Sequence, residues 1–365
     1  MAVPMDVSIV IPTWNGITLL RETLPSVCEA AGFYRRESHC RTEILVVDDG
    51  SEDETRKVLP AEFPQVRLIE SPSNRGFAPA CNLGFEQARF PLVALLNNDV
   101  KVEPDYLLHQ TPHFQDPEVM AVTARVFSWD GDEFTAGGRF GRFRRGFWSV
   151  YLNYDVDPSS ARSELQDRRW LSAYAVGGFA TYDRRKLREL GGFNTLLAPF
   201  HWEDVDLSYR GWKRGWEIRY EPDSVAYHRI SATIGSRFRP RRVQTVAVRN
   251  RLLFHWINLH STGYWIRHLV GLAGLLLTRF MVLDGTYYRS FLGALVRIAE
   301  VRRMRRRERD RARRSDAEIF KLLDTFYRTA PIRVYRGSSQ VRAEHPGLEK
   351  APAVEAGSSR PGSVV

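Results

Sequence analysis

Short apolar runs alternate with helix-period segments over about the first 100 residues of this chain, and few folds accept that pattern. Val7–Pro12, Glu43–Val47, Val66–Glu70 and Pro91–Leu96 read as strands, because each is short, continuous and apolar. Between them Leu19–Ala30, Ser51–Leu59 and Phe77–Arg89 read as helices, with Ser51 and Glu54 at capping-box spacing. Strands buried on both faces and joined by helices predict an α/β fold, a mostly parallel sheet flanked by helices.

Carboxylates stand where that sheet would need them for chemistry. The second strand runs into Asp48-Asp49-Gly50-Ser51, the fourth into Asn97-Asn98-Asp99, and Glu203-Asp204 and His228 follow later. Groups just past the carboxyl ends of parallel strands lie in the crevice where open α/β sheets bind ligands. The pattern predicts an enzyme that handles a nucleotide and a metal ion.

Beyond the first half the periodicity weakens. The pattern weakens past Val119–Phe127 and returns with Ala173–Thr181, where Gly177-Gly178 precedes a strand-like stretch; Arg184–Leu190 and Glu203–Arg214 read as helices, Trp216–Tyr220 and Ser224–Tyr227 as short strands. Trp129–Trp170, rich in Gly, Arg and aromatics, reads as a long loop or small insertion beside the site. Val243–His260 reads as a helix. Tyr264–Leu283 is mostly apolar, but Arg267, His268 and Arg279 leave it too short to span a bilayer, which takes ~20 apolar residues. The expected organisation is a catalytic domain over 1–236 (nucleotide half 1–127, acceptor half 128–236), a helical extension over 237–334 and a disordered tail over 335–365.

Charge and cysteine usage narrow the setting. Of a net charge of +10, nine arginines against Glu308 and Asp310 fall between Arg302 and Arg314. Such a run fits a solvated helix face, nucleic acid or anionic lipid; no nucleic-acid recognition motif accompanies it, so no nucleic-acid partner is expected. Cys28, Cys40 and Cys81 have no metal spacing and cannot all pair. The first residues carry no basic segment followed by an apolar core. The expectation is a cytoplasmic protein, peripheral at the cytoplasmic face of the inner membrane through its apolar stretch and the arginines that follow.

Taken together, VSIVIPTWNG, VVDDGSEDET (46–55), SNRGFAPACNLGF (73–85), LLNNDV (95–100), VGGFATYDRRKLRELGGFN (176–194) and WEDVDLSYRGWKRGW (202–216) resemble the inverting family 2 glycosyltransferases of GT-A fold. The nearest likeness is to rhamnosyltransferase-like enzymes of bacterial cell-surface polysaccharide synthesis. That resemblance implies a UDP- or dTDP-sugar donor, Mg2+ or Mn2+, and a saccharide or lipid-linked acceptor. It puts Asp49 at the base N–H, Pro12, Thr13, Asn15 and Asp48 around the nucleoside, and Arg75 at base or ribose. Asn98 stands where the family's Asp-X-Asp motif carries its ribose and metal residues, with the first acid of that motif replaced. Asp99 and His228 would hold the metal. Asp204 would be general base with Glu203 beside it, and Gly177, Gly178 and Trp202 would face the acceptor, His201 sharing the wall with Trp202.

Each residue also has a local reading. Asp48-Asp49-Gly50-Ser51 suits an Asx-turn, Glu203 and Asp204 suit the dipole of a helix first turn, and Gly177-Gly178 suits a tight turn or bulge. A nucleotidyltransferase would want a glycine-rich phosphate loop with a basic residue after the first strand, and Thr13-Trp14-Asn15-Gly16 is not one. A catalytically impaired sugar-nucleotide-binding scaffold is the alternative that the replaced acid raises.

Overall fold

The computed structural model describes residues 5–160, 169–229 and 239–341. Strands β1 (Val7–Thr13), β2 (Thr42–Asp48), β3 (Val66–Glu70) and β4 (Leu92–Leu96) run parallel in the order β3-β2-β1-β4. Helices α1 (Ile17–Ser38), α2 (Thr55–Glu62) and α3 (Phe77–Gln87) connect them. Successive side chains of a strand point to opposite faces. Ile9, Ile11, Ala94 and Leu96 therefore join Leu20, Leu24 and Val27 of α1 in one core, while Val10, Val93 and Leu95 meet Cys81 and Phe85 of α3 in another. Burial on both faces explains why these strands read as unbroken apolar runs.

The sheet continues through β10 (Phe179–Asp183), β6 (Val119–Ser128), β11 (Glu217–His228) and β5 (Val100–Val102), with β7 (Phe134–Ala136) on β6. Here β10 is antiparallel to both neighbours, and β5 to β11. Helix α4 (Tyr106–Gln110) packs under α1, and α5 (Arg184–Leu190) and α6 (Glu203–Lys213) cover the face opposite α1. This is the GT-A arrangement, a curled, mostly parallel sheet flanked by helices.

Several expectations change. Trp129–Trp170 is not a loop: over its described part, β8 (Gly138–Arg144) and β9 (Phe147–Val156) form a hairpin. Its turn, Arg145-Gly146, has positive φ at both residues, as a two-residue hairpin connection requires. Phe140 and Phe143 stack on Tyr327 and Phe320, so apolar anchors lie between the arginines that suggested a loop. The two strands expected at 216–227 are one, β11, with its pairing to β6 shifted between Glu221 and Val225. The strand-like stretch expected after Gly177-Gly178 is β10, beginning at Phe179.

Helix α2 starts at Thr55 rather than Ser51, without the capping box. The Ser51 hydroxyl accepts the Asn15 N–H at 2.8 Å and its own N–H reaches the Asp48 carboxylate, which removes it from helix capping. A capping box does form at Ser315 and Glu318, the same spacing, where the serine has no competing partner to hold.

The C-terminal helices are α7 (Pro240–Asn258), α8 (Thr262–Met281), α9 (Gly285–Leu295), α10 (Ile298–Asp310) and α11 (Asp316–Thr329). They share one core with the hairpin and α6, through Trp148, Tyr209, Phe254, Phe320 and Tyr327. The stretch expected to be disordered from 335 opens with structure: β12 (Ile332–Arg336) and β13 (Ser339–Val341) extend the hairpin sheet, with Tyr335 packed 4.7 Å from Phe134. Among the described residues no helix is long and apolar enough to cross a membrane.

Candidate active site

The first cluster is built from loops after β1, β2 and β3. Asp49 N–H donates to the Thr13 carbonyl at 2.8 Å, which seats the acid beside β1. Its carboxylate accepts the backbone N–H of Arg75 at 2.9 Å and of Gly76 at 2.7 Å. Burial raises its pKa, and those two N–H groups oppose the rise. Gly50 makes this fit possible: its φ is +73°, and a Cβ there would sit 2.5 Å from the Asn74 nitrogen. The exposed Arg75 side chain lies at the rim.

Two residues expected at the nucleoside instead hold the loops. Asp48 is fully buried, bonded to the Arg56 guanidinium at 2.6 Å and to Ser51 N–H, so its charge is already matched. Asn15, at φ +49°, accepts Glu52 N–H at 2.7 Å and Asp53 N–H at 3.2 Å through its amide oxygen. Pro12 is buried in β1 opposite Val47, a wall rather than a polar contact.

The second cluster follows β4. Asn98 Nδ2 donates to Thr13 Oγ1 at 2.9 Å, joining it to the first cluster. Asp99, only 6% exposed, has one carboxylate oxygen, Oδ1, with no hydrogen-bond donor, and His228 Nε2 lies 3.4 Å from it. The pairing of β11 with β5, His228 opposite Val100, delivers that imidazole. A bare buried carboxylate oxygen beside an imidazole is a donor set suited to Mg2+ or Mn2+. Among the described residues no group of three or more His, Cys, Asp or Glu side chains could hold a metal. Nucleotide oxygens and waters would complete such a shell.

The third cluster adjoins the second through the backbone. Asn97 N–H donates to the Gly178 carbonyl at 3.0 Å, and Gly177 N–H to Asp204 Oδ2 at 3.4 Å. A Cβ on Gly178 would come within 2.5 Å of Asn97 Nδ2, so glycine lets these segments touch. Asp204 Oδ1 also accepts the N–H of Val205 at 2.7 Å. Burial raises the Asp204 pKa, opposed by those N–H groups and by the Arg139 charge.

Glu203 is buried, its Oε2 has no partner, and burial with the Asp204 charge pushes its pKa up to about 8. Each acid disfavours ionisation of the other, so the pair as a whole resists losing its last proton. His201 and Trp202 precede this helix with φ of +69° and +75°, unusual for bulky residues and a sign of local strain. Trp202 is not an acceptor wall: its ring is buried, 5.2 Å from Phe254. The apolar α7 surface offers it more burial than the cleft does. His201 meets Phe200 edge-on, with ring centroids 5.1 Å apart, and burial lowers its pKa.

Sequence reasoning missed the residues that hold α6. Asp206 pairs with Arg210 at 2.7 Å and takes Asn258 Nδ2; Lys213 pairs with Asp316; Arg214 pairs with Glu308 at 2.7 Å. Arg139, read in the sequence only as part of a basic aromatic segment beside the site, lies 5.3 Å over Tyr174 beside Asp204. The alternation of arginine with aromatics over 139–148 was the available signal.

The family model for glycosyl transferase family 2 matches residues 8–191, half of the chain and all of the first two clusters except His228. The chain belongs to that family. Among curated relatives it is 27% identical over 231 residues to the pre-mycofactocin glycosyltransferase of Mycobacterium tuberculosis, covering 61% of this chain and 42% of that one. It is 22% identical over 242 residues to the poly-beta-1,6-N-acetyl-D-glucosamine synthase of Staphylococcus epidermidis, covering 64% and 52%. The chain thus spans about half or less of the length of these relatives. A solved structure of GalNAc-T7 with UDP, GalNAc and Mn2+ superposes with a TM-score of 0.52 at 18% identity, over 70% of this chain and 48% of that one, which is a likeness of fold.

Proposed function

We propose that this family 2 member is an inverting glycosyltransferase, moving a sugar from a UDP- or dTDP-sugar to a hydroxyl of a saccharide or lipid-linked acceptor, with Asp204 as general base. The observation that carries the reading is the Glu203–Asp204 pair. Glu203 is buried, where desolvation disfavours its charged form; Asp204 is partly exposed, oriented by Gly177 and Val205 N–H, and next to the Asp99–His228 cluster. Inversion by direct displacement needs a base opposite the leaving group to take the acceptor proton. A charged Asp204 with a neutral Glu203 meets that need without two adjacent negative charges.

The remaining roles follow from position. An ionised carboxylate offers about four acceptor sites; Asp49 uses part of them on Arg75 and Gly76, and the rest suit the imide N–H of uracil or thymine. Thr13 and Asn98 face the ribose side, Arg75 the rim, and Gly177 and Gly178 let the acceptor approach the backbone. Asp99 and His228 would hold Mg2+ or Mn2+, which when bound neutralises charge on the leaving diphosphate. The reading extends to work on cell-surface saccharides at the cytoplasmic face of a bacterial inner membrane, an extension supported by the sequence likeness to rhamnosyltransferase-like enzymes.

Asp204→Asn tests this directly. Transfer from the accepted nucleotide sugar should fall by about 10²–10⁴-fold, while the thermal stabilisation given by the donor with Mn2+ stays as in the parent. Full transfer activity in this variant would remove Asp204 as base.

A further inference from the structure

Exposed large apolar side chains are concentrated in one place. Among the described residues, apart from Tyr151 and Val341, all of them lie between Ile266 and Val296, on α8, α9 and the corner that joins them. At that corner Phe280, Met281, Val282 and Leu283 are 64%, 75%, 68% and 83% exposed. Leu283 adopts φ +50°, a left-handed conformation usually left to Gly or Asn, and it holds a leucine at the outermost point of the turn. Water alone gives no reason to keep such a residue there.

Directly behind the corner a cavity of about 150 Å³ opens between α7, α8 and α9. Arg251, Arg279, Tyr287, Gln244 and Thr286 are among its lining. Tyr287 is 6% exposed and its hydroxyl has no partner; the buried Nε of Arg251 has none either. Arg279 is 3.1 Å from Asp284, which also lines the cavity, so two guanidinium groups face one carboxylate. Unpartnered donors and excess positive charge beside an exposed apolar corner are what a lipid phosphate with its acyl or prenyl chain would complement.

We propose that the α8–α9 corner docks on a phosphate-bearing bilayer and that the Arg251–Arg279–Tyr287 cavity takes the phosphate of a membrane lipid.

The cavity is also linked to the base. The Arg251 guanidinium lies 4.6 Å over Phe147 and 5.7 Å over Tyr151 on β9. Tyr151, 44% exposed, is close enough to act electrostatically on Tyr174, which lies under Arg139 beside Asp204. Arg142 and Arg144 are exposed along the same hairpin, and its turn packs on α8, where a Cβ on Gly146 would meet the Arg267 carbonyl at 2.5 Å. A chain of cationic and aromatic side chains, buried at Phe147 and Tyr174, thus links the cavity to Asp204. Resting on the transfer reaction proposed above, this assigns the acceptor to lipids anchored by a phosphate, with the saccharide or hydroxyl lying along the hairpin. The arginines of α10, among them Arg302, Arg303 and Arg306, are exposed nearby in sequence and add charge that an anionic surface would favour.

Vesicle co-sedimentation separates the parts. Full-length protein is mixed with phosphatidylcholine vesicles, alone or containing phosphatidylglycerol or a long-chain isoprenyl phosphate. The parent should pellet with both phosphate-rich vesicles and weakly with phosphatidylcholine. Phe280→Ser with Leu283→Ser should weaken partitioning by about tenfold or more. Arg251→Gln and Tyr287→Phe should weaken the phosphate-dependent part, by about fivefold for the lost charge. Inorganic phosphate competing the protein off vesicles marks the cavity as a phosphate site; isoprenyl phosphate binding tighter than phosphatidylglycerol marks the acceptor lipid as its source. Corner variants that pellet as the parent does overturn the proposal, as does a concentration-dependent dimer that these variants abolish without vesicles. Donor-induced thermal stabilisation, retained in every variant, reports the fold. A parent that transfers to a soluble sugar but pellets with none of the vesicles would sink only this inference, whereas a parent that binds no donor sinks the proposed function instead.

Discussion

The donor half and the acceptor half of the molecule neutralise their buried charges in different ways. Around Asp48 and Asp49 the partners are near in sequence: Ser51 N–H, Arg56, and the Arg75 and Gly76 N–H groups. Around α6 the partners come from the far end of the chain, Lys213 with Asp316 and Arg214 with Glu308. Local pairing makes a loop that can be recognised as a motif. Remote pairing makes a helix whose position depends on the whole C-terminal bundle.

Breaking the remote arrangement should give the largest effect on stability. Asp316 accepts from Lys213, the Tyr209 hydroxyl, and His260 and Ser261 N–H, and both members of the ion pair are at most 1% exposed. Asp316→Ala leaves Lys213 buried and uncompensated, at a cost of about 3–5 kcal/mol. Denaturant unfolding should show a lower midpoint, and transfer should fall because α6 carries Asp204. Donor-induced stabilisation should be kept, since the Asp49 cluster has no part in this pair. A donor response that fails in step with transfer would show the two halves to be one cooperative unit and end the contrast.

A second difference is readable in pH. The folded-state pKa of Glu203 is raised from 4.5 to about 8, so between those values the native state holds more protons than the unfolded chain. Stability contributed there is full below 4.5 and is lost as pH rises through about 8. Glu203→Gln should flatten that fall, an effect on the order of a few kcal/mol across the window. His268 works in the opposite sense: burial lowers its pKa to about 4, so its contribution is lost as pH falls from 6.5 toward 4. Thermal melts of parent and Glu203→Gln across this range check both limbs. An unchanged alkaline limb in the variant would mean that Glu203 does not hold the proton.

The same contrast explains what the sequence could reveal. The parallel strands were legible because two-sided burial leaves an unmistakable apolar run, and their ends located Asp49 and Asp99. Residues 129–156 were misread because arginines on one side of the hairpin and Gly138, Gly141 and Gly146 broke the period that Phe140, Phe143 and Phe147 would otherwise show. Trp202 was misread for a different reason. Its place next to Glu203 put it in the site, but its ring follows the apolar face of α7, and no local pattern encodes Phe254 as its neighbour. Ser51 shows that even a correct motif spacing yields when Asn15 and Asp48 claim the same hydroxyl and N–H.

The smallest expected change tests the seam where the halves meet. Gly178 lies against Asn97, whose N–H it receives, and the next two residues on that strand end are Asn98 and Asp99. A methyl at Gly178 would sit 2.5 Å from Asn97 Nδ2, a side-chain atom that can shift, so Gly178→Ala should cost about 1–3 kcal/mol rather than prevent folding. The shift moves the backbone that presents Asp99, not Asp204, which leans on Gly177. Donor KM should therefore rise more than kcat falls, and the Mn2+ concentration for half-maximal activity should rise with it. An equal fall in kcat with donor KM unchanged would assign the seam to the acceptor half, and the boundary between the two halves would then lie at Asn97 rather than at Gly178.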